Sequence, residues 1–187
     1  MTHTKGTPPM KTINIGLDEA QRKGSIDLLN VALADGSILL IKTKKFHWDV
    51  VGPQFMTLHK LWDEQYATLA LDVDAIAERV RALGGIPLGT AAGFLEFAKV
   101  VEHPGKVSSA TAAVSMLLED HELIVRNLRT AIDRCEDEFH DKGTADFLTG
   151  LMEKHEQMAW MLRSFLEGEG VKADGKAAPA TRVPNYA

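Results

Sequence analysis

The chain has 187 residues, 45% of them hydrophobic and 25% charged, with a net charge of −5 at neutral pH. That length and balance fit one globular domain with a sizeable core. A lone Cys135 excludes disulfides within the chain and fits a reducing cytoplasm. The first ten residues, polar with two prolines, do not read as a signal peptide, and no apolar run is expected to reach the roughly 20 residues of a membrane span.

Residues 1–16 contain Gly6, Pro8 and Pro9 and no clear period, so they read as a flexible arm. Asp18 can cap a long first helix running to about Trp48, with Leu28, Val31, Ala32, Ile38, Leu39 and Ile41 as its apolar stripe and Gly24 and Gly36 as weak points. Gly52-Pro53 breaks it, and a second helix spans about Gln54 to Leu83, ended by Gly84-Gly85 and Pro87. Residues 86–107 form a long crossover with one short helix around Phe94, Leu95, Phe97 and Ala98. Ser108 or Ser109 caps a third long helix reaching about Phe139. After Lys142-Gly143, Thr144 starts a fourth that runs to about Glu167, its methionines filling the core. A tail, 170–187, is rich in Ala, Lys and Pro. Short, long and short links between four long helices predict an all-α, ferritin-like four-helix bundle over residues 17–169.

The second helix carries two pairs of metal-type ligands, His59 with Asp63 and Asp74 with Glu78. The i,i+4 spacing stacks each pair on one helix face. The two pairs are too far apart to share an ion, because fifteen helical residues span about 22 Å against a bond of about 2 Å. With His59 at zero and about 100° per residue, Asp63, Asp74 and Glu78 fall between about 40° and 100°. Leu58, Trp62, Tyr66, Leu69, Val73, Ile76, Val80 and Leu83 lie on the other side as a core stripe. Ala67, Ala70 and Ala77 share the ligand face, where small side chains let another backbone approach. An antiparallel second copy would bring the first pair of one chain to the second pair of the other, so the metal sites are expected in a symmetric dimer interface. His47, at the end of the first helix, can join His59 across the tight turn. Mixed imidazole and carboxylate ligation suits iron, manganese or zinc. Helices three and four offer Glu119-Asp120-His121-Glu122 and Glu153-Lys154-His155-Glu156. Neither contains the Glu-x-x-His of an intrachain di-iron site, and both read as solvated faces.

At these residues the chain resembles the Dps family of mini-ferritins. The resemblance lies in Lys44-Lys45-Phe46-His47-Trp48-Asp49-Val50-Val51-Gly52-Pro53-Gln54-Phe55, then Leu58-His59, Asp74-Ala75-Ile76-Ala77-Glu78-Arg79 and Ala82-Leu83-Gly84-Gly85-Ile86-Pro87. Gly143-Thr144-Ala145-Asp146-Phe147-Leu148 is similar to the start of that family's last helix. The resemblance implies a hollow homododecamer whose two-fold interfaces oxidise ferrous iron, preferably with hydrogen peroxide rather than oxygen, and store ferric iron inside. It implies that His47, His59, Asp74 and Glu78 are the principal ligands, with Asp63 closely associated. Zinc or manganese can take the same site. Trp48 would stand beside the centre as a hydrogen-bonding or oxidant-quenching aromatic, and Lys44 as a nearby cation. Asp49 replaces the more usual Asn, which adds a charge without removing a ligand.

The resemblance further places Asp146, and Asp141 within a segment expanded relative to the family, at an acidic three-fold pore for iron entry. A competing reading is DNA binding and compaction in the nucleoid. The two tails carry +2 each, from Lys5 and Lys11 and from Lys172, Lys176 and Arg182 against Asp174. The body carries −9 and would repel nucleic acid except through those tails. A metal-binding shell without turnover is a third reading. No membrane partner is expected.

Overall fold

The computed structural model describes residues 13–167. The two tails, with their five basic residues, lie outside this range, except for residues 13–16 of the arm. Five helices follow in order: α1 (Glu19–Asp49), α2 (Phe55–Ala82), α3 (Ala91–Phe97), α4 (Ala110–Asp137) and α5 (Lys142–Leu166). The four long helices form the bundle. α1 pairs with α2 and α4 with α5 as helical hairpins, α1 also packs on α4, and the short α3 lies on α1 within the crossover.

The helix starts follow local chemistry. Asp18 caps α1 by accepting from the Gln21 backbone N–H at 2.8 Å, and the Gln21 side chain accepts from the Asp18 N–H at 2.9 Å. This reciprocal pair satisfies two of the donors that a helix start leaves free. Ser109 caps α4. The start of α5 differs from expectation, because Asp141 is its cap and Thr144 lies inside the first turn. Asp141 accepts from the Thr144 N–H at 3.0 Å and from its hydroxyl at 2.6 Å, and pairs with Arg79 Nη2 at 3.2 Å. Arg79 also donates to the Thr144 hydroxyl oxygen. The network ties the end of α2 to the start of α5.

α1 is buried more broadly than one apolar stripe allows. Every residue from Leu33 to Leu39 is buried, and the core-facing side is Leu29, Leu33, Ile38, Leu39 and Phe46. Of the expected stripe, Leu28, Val31 and Ala32 are only half-buried, and Ile41 is 47% exposed. Three neighbouring helices surround the middle of α1, so its hydrophobicity runs round the cylinder. By length and composition alone, α1 therefore passes for a membrane span, contrary to the expectation of no such run. Buried Asp35 and Lys42 are the marks of a packed core helix. Asp35 accepts from the Lys99 and Val100 N–H groups, and Lys42 pairs with Asp120 at 2.7 Å. The helical glycines serve this packing. A Cβ on Gly24 would sit 2.3 Å from the Phe139 ring, and one on Gly36 would sit 3.3 Å from Val73.

Two expected solvated faces are partly core. His121 is fully buried, His155 is 5% exposed and Asp120 is buried. His121 continues the row Val114, Leu117, Ile124 and Leu128, and His155 the row Leu148, Leu151, Met158 and Leu162. The flanking charges point outward. Glu119 and Glu153 are exposed, and Glu122 and Glu156 pair with Arg163 and Arg129.

Candidate metal centre

The α1–α2 turn sets the geometry of the first half-site. His47 lies in the last turn of α1 and His59 in the second turn of α2, and the short link stacks their rings with centroids 3.7 Å apart at 16°. The two residues lock each other. His47 Nδ1 donates to the His59 carbonyl at 2.8 Å, and His59 Nδ1 donates to the His47 carbonyl at 2.9 Å. Each ring is thereby set in the tautomer whose Nε2 carries a free lone pair, the state a metal needs. Phe55 stacks on the far side of His59 at 4.9 Å. His47 is buried and His59 half-buried.

Asp63 lies one turn beyond His59 and is exposed. It accepts a hydrogen bond from the Tyr66 hydroxyl. That bond is the main reason the phenol's pKa is raised from its ordinary value. The Tyr66 ring meets His47 edge-on at 5.3 Å, and Lys44 Nζ lies 5.1 Å from its centroid. The apolar phase of α2 suggested Tyr66 as core. Its i,i+3 spacing from Asp63 was the sequence signal for this contact. Trp48 is 69% exposed, with Lys44 Nζ 6.0 Å from its ring. It is not a packed core aromatic of this chain.

The second half-site, Asp74 and Glu78, is exposed further along α2. Between the half-sites Ala67 and Ala70 are exposed, Ala77 is half-buried, and Leu71 is 73% exposed. A face of alanines, a bare leucine and two acids is poorly suited to water and well suited to close helix contact. Among the described residues, no three His, Cys, Asp or Glu side chains of one chain come close enough to hold an ion. The ligand types fit iron, but one chain supplies them as two separated halves. Asp146 is exposed in the first turn of α5, while Asp141 is buried as cap and ion-pair partner.

The remaining buried titratable groups lie within the bundle. His121 and His155 share a hydrogen bond between their Nδ1 atoms at 2.9 Å. Burial lowers both pKa values, His155 to about 4 and His121 well below the usual 6.5. Burial raises Asp35 and Asp120, and pushes the Cys135 thiol up to about 11, so that it stays protonated and unreactive.

Residues 26–169 match the model of the ferritin-like domain family. A low temperature-induced protein of Nostoc sp. is 58% identical over 94% of this chain and 98% of its own length. DNA protection during starvation protein 2 of Bacillus anthracis is 38% identical over 77% of this chain and 97% of its own. Among solved structures, DpsC from Streptomyces coelicolor superposes with a TM-score of 0.82 at 31% identity, covering 92% of this chain and all of that one. A Dps protein from Vibrio cholerae, described as a member of a broad superfamily of ferritin-like diiron-carboxylate proteins, gives 0.78 at 27% identity, covering 86% and 100%.

Proposed function

This chain belongs to the Dps family of the ferritin-like superfamily, and we propose that it is a mini-ferritin ferroxidase working at centres shared between two subunits. The observation that carries this reading is the locked His47–His59 pair, with both Nε2 atoms free, at the edge of an uncovered acid-and-alanine face. His47, His59 and Asp63 of one subunit would bind ferrous ions together with Asp74 and Glu78 of a second. The imidazoles hold the ferrous state, and the carboxylates stabilise the extra charge of the ferric product.

Hydrogen peroxide, the preferred oxidant in this reading, takes one electron from each of two ferrous ions and two protons, and becomes two waters. Spending both electrons at one site avoids releasing hydroxyl radical. Ferric iron would then be stored inside a dodecameric shell in the cytoplasm, with Asp146 drawing ferrous ions through a pore. Zinc or manganese can occupy the same donors.

Subunit mixing tests the shared centre. A His47→Ala/His59→Ala chain and an Asp74→Ala/Glu78→Ala chain should each oxidise ferrous iron slowly, and together should recover some fast centres after subunit exchange. No recovery, with exchange verified by mass-tagged subunits, refutes a shared site. Slow or absent turnover in the parent chain, with tight metal binding, supports the shell without catalysis instead.

A second reading, DNA binding, is favoured by the basic tails. Contacts through Lys5, Lys11, Lys172, Lys176 and Arg182 would neutralise phosphates with little sequence preference and steep salt dependence. Protection by iron and peroxide removal needs no such contact, so a gel shift across salt concentrations separates the two.

A further inference from the structure

α2 carries a face that the proposed centre does not use. With His59 at zero, Leu61, Glu64, Gln65 and Thr68 fall between about 140° and 240°, away from the four ligand-type residues of that helix. α5 lies opposite this face. The two helices touch only sparsely, and a cleft of about 130 Å³ opens between them. Leu61 and Gln65 of α2 and Met158 and Met161 of α5 form its walls.

Methionines three residues apart share one helix face, with Cβ atoms about 5–6 Å from each other. Each thioether swings on three rotatable bonds, so both sulfurs can turn onto a single point in the cleft. Gln65 is 3% exposed. Its Nε2 donates to the Met158 carbonyl over a long 3.4 Å, and its Oε1 is buried with no hydrogen-bond partner among the described residues. A buried amide oxygen without a donor is destabilising, and a cation beside it offsets that cost. Core filling explains the bulk of Met158, which is buried, and leucine would serve it equally. It does not explain a half-buried Met161 in the cleft wall, or the bare amide oxygen in the same wall.

The donor set selects the ion. Thioethers are soft and uncharged, so they are poor ligands for ferrous, zinc and manganese ions and good ones for Cu(I). A single positive charge also suits a site without an anionic ligand. Glu64 at the rim is exposed, and Lys154 is neutralised by its pair with Asp72. We infer that the α2–α5 cleft is a cuprous-ion site, with the Met158 and Met161 sulfurs as main ligands and Gln65 Oε1 as a weaker third. The ion is bound without electron transfer, and the site stands independently of the ferroxidase reading.

The test is an anaerobic Cu(I) titration of the assembled protein against bicinchoninate as competing chromophore, with copper K-edge X-ray absorption on the loaded protein. The expected result is copper–sulfur scattering, at an affinity that excess zinc does not change. Met158→Leu/Met161→Leu keeps the side-chain volume. It should lose the sulfur scattering and weaken binding by at least about tenfold, the size of effect seen even for outer partners of a metal ion. Met161→Leu alone, at the less buried position, should weaken binding in the same direction, and it decides the matter if gel filtration shows that the double variant does not assemble. His47→Ala/His59→Ala should keep the sulfur scattering. A parent without copper–sulfur scattering overturns the inference. So does scattering and affinity unchanged in the methionine variants, loss of the sulfur-bound copper in the histidine variant, or its displacement by zinc.

Discussion

Acid should weaken this bundle from within, through His121 and His155. In an unfolded chain a histidine titrates near 6.5, whereas burial holds His155 at about 4 and His121 well below its usual value. Between these pH limits the unfolded state binds more protons than the folded one, so stability falls as pH falls through the window. One pKa unit is worth about 1.4 kcal/mol, so the His155 shift amounts to about 3 kcal/mol in full and about 2 kcal/mol by pH 5. His121 adds in the same direction. Charged groups close to the pair include Asp72 on α2, which lines a small cavity with His155 and is paired with Lys154 on α5, and Asp120 beside His121 on α4, paired with Lys42 on α1. The raised pKa values of Asp35 and Asp120 work the opposite way, because the folded state takes up those protons first as pH falls. They offset part of the loss toward the lower end of the window. The measurement is urea unfolding at fixed protein concentration, from neutral pH down to about pH 5. The parent should lose a few kcal/mol, and the paired substitution His121→Leu/His155→Leu should flatten the slope. Replacing both rings avoids leaving one imidazole without its partner. An equal pH slope in the parent and the double variant would refute this reasoning.

Other consequences follow from single contacts. Gly24→Ala should lower stability by about 1–3 kcal/mol, since the new methyl meets the Phe139 ring, and Phe139→Leu should recover part of the loss in thermal melts. Asp141→Ala should cost about 2–4 kcal/mol in denaturant unfolding, because it removes the α5 cap and leaves the half-buried Arg79 without its carboxylate. Asp146→Asn should slow iron uptake at low ferrous concentration, measured by stopped flow, while metal affinity at the centre is kept. Equal uptake rates would remove Asp146 from the entry route.

Much of the architecture is local and was legible in the sequence. Asp18 and Ser109 cap their helices as residue type suggests, and Gly52-Pro53 and Gly84-Gly85 break the chain where expected. The i,i+4 spacing of His59/Asp63 and Asp74/Glu78 depends only on helical rise, so two separated pairs of ligand-type side chains on α2 could be read without coordinates. What the sequence could not decide is which side of a residue is covered by another helix. His121 and His155 sit among acids and a lysine and read as solvated, yet each lies in the apolar row that meets the opposite helix. α1 is buried all round at Leu33–Leu39 because three helices close on it, which no single-helix period encodes. Tyr66 shares the angular phase of the core stripe, but its hydroxyl reaches Asp63 and its ring meets His47. Asp141, not Thr144, caps α5, and Arg79, 62 residues earlier, comes back to hold it. Spacing along one helix is set by its own backbone, whereas burial and partnership are set by the elements that pack against it, and these come from distant parts of the chain.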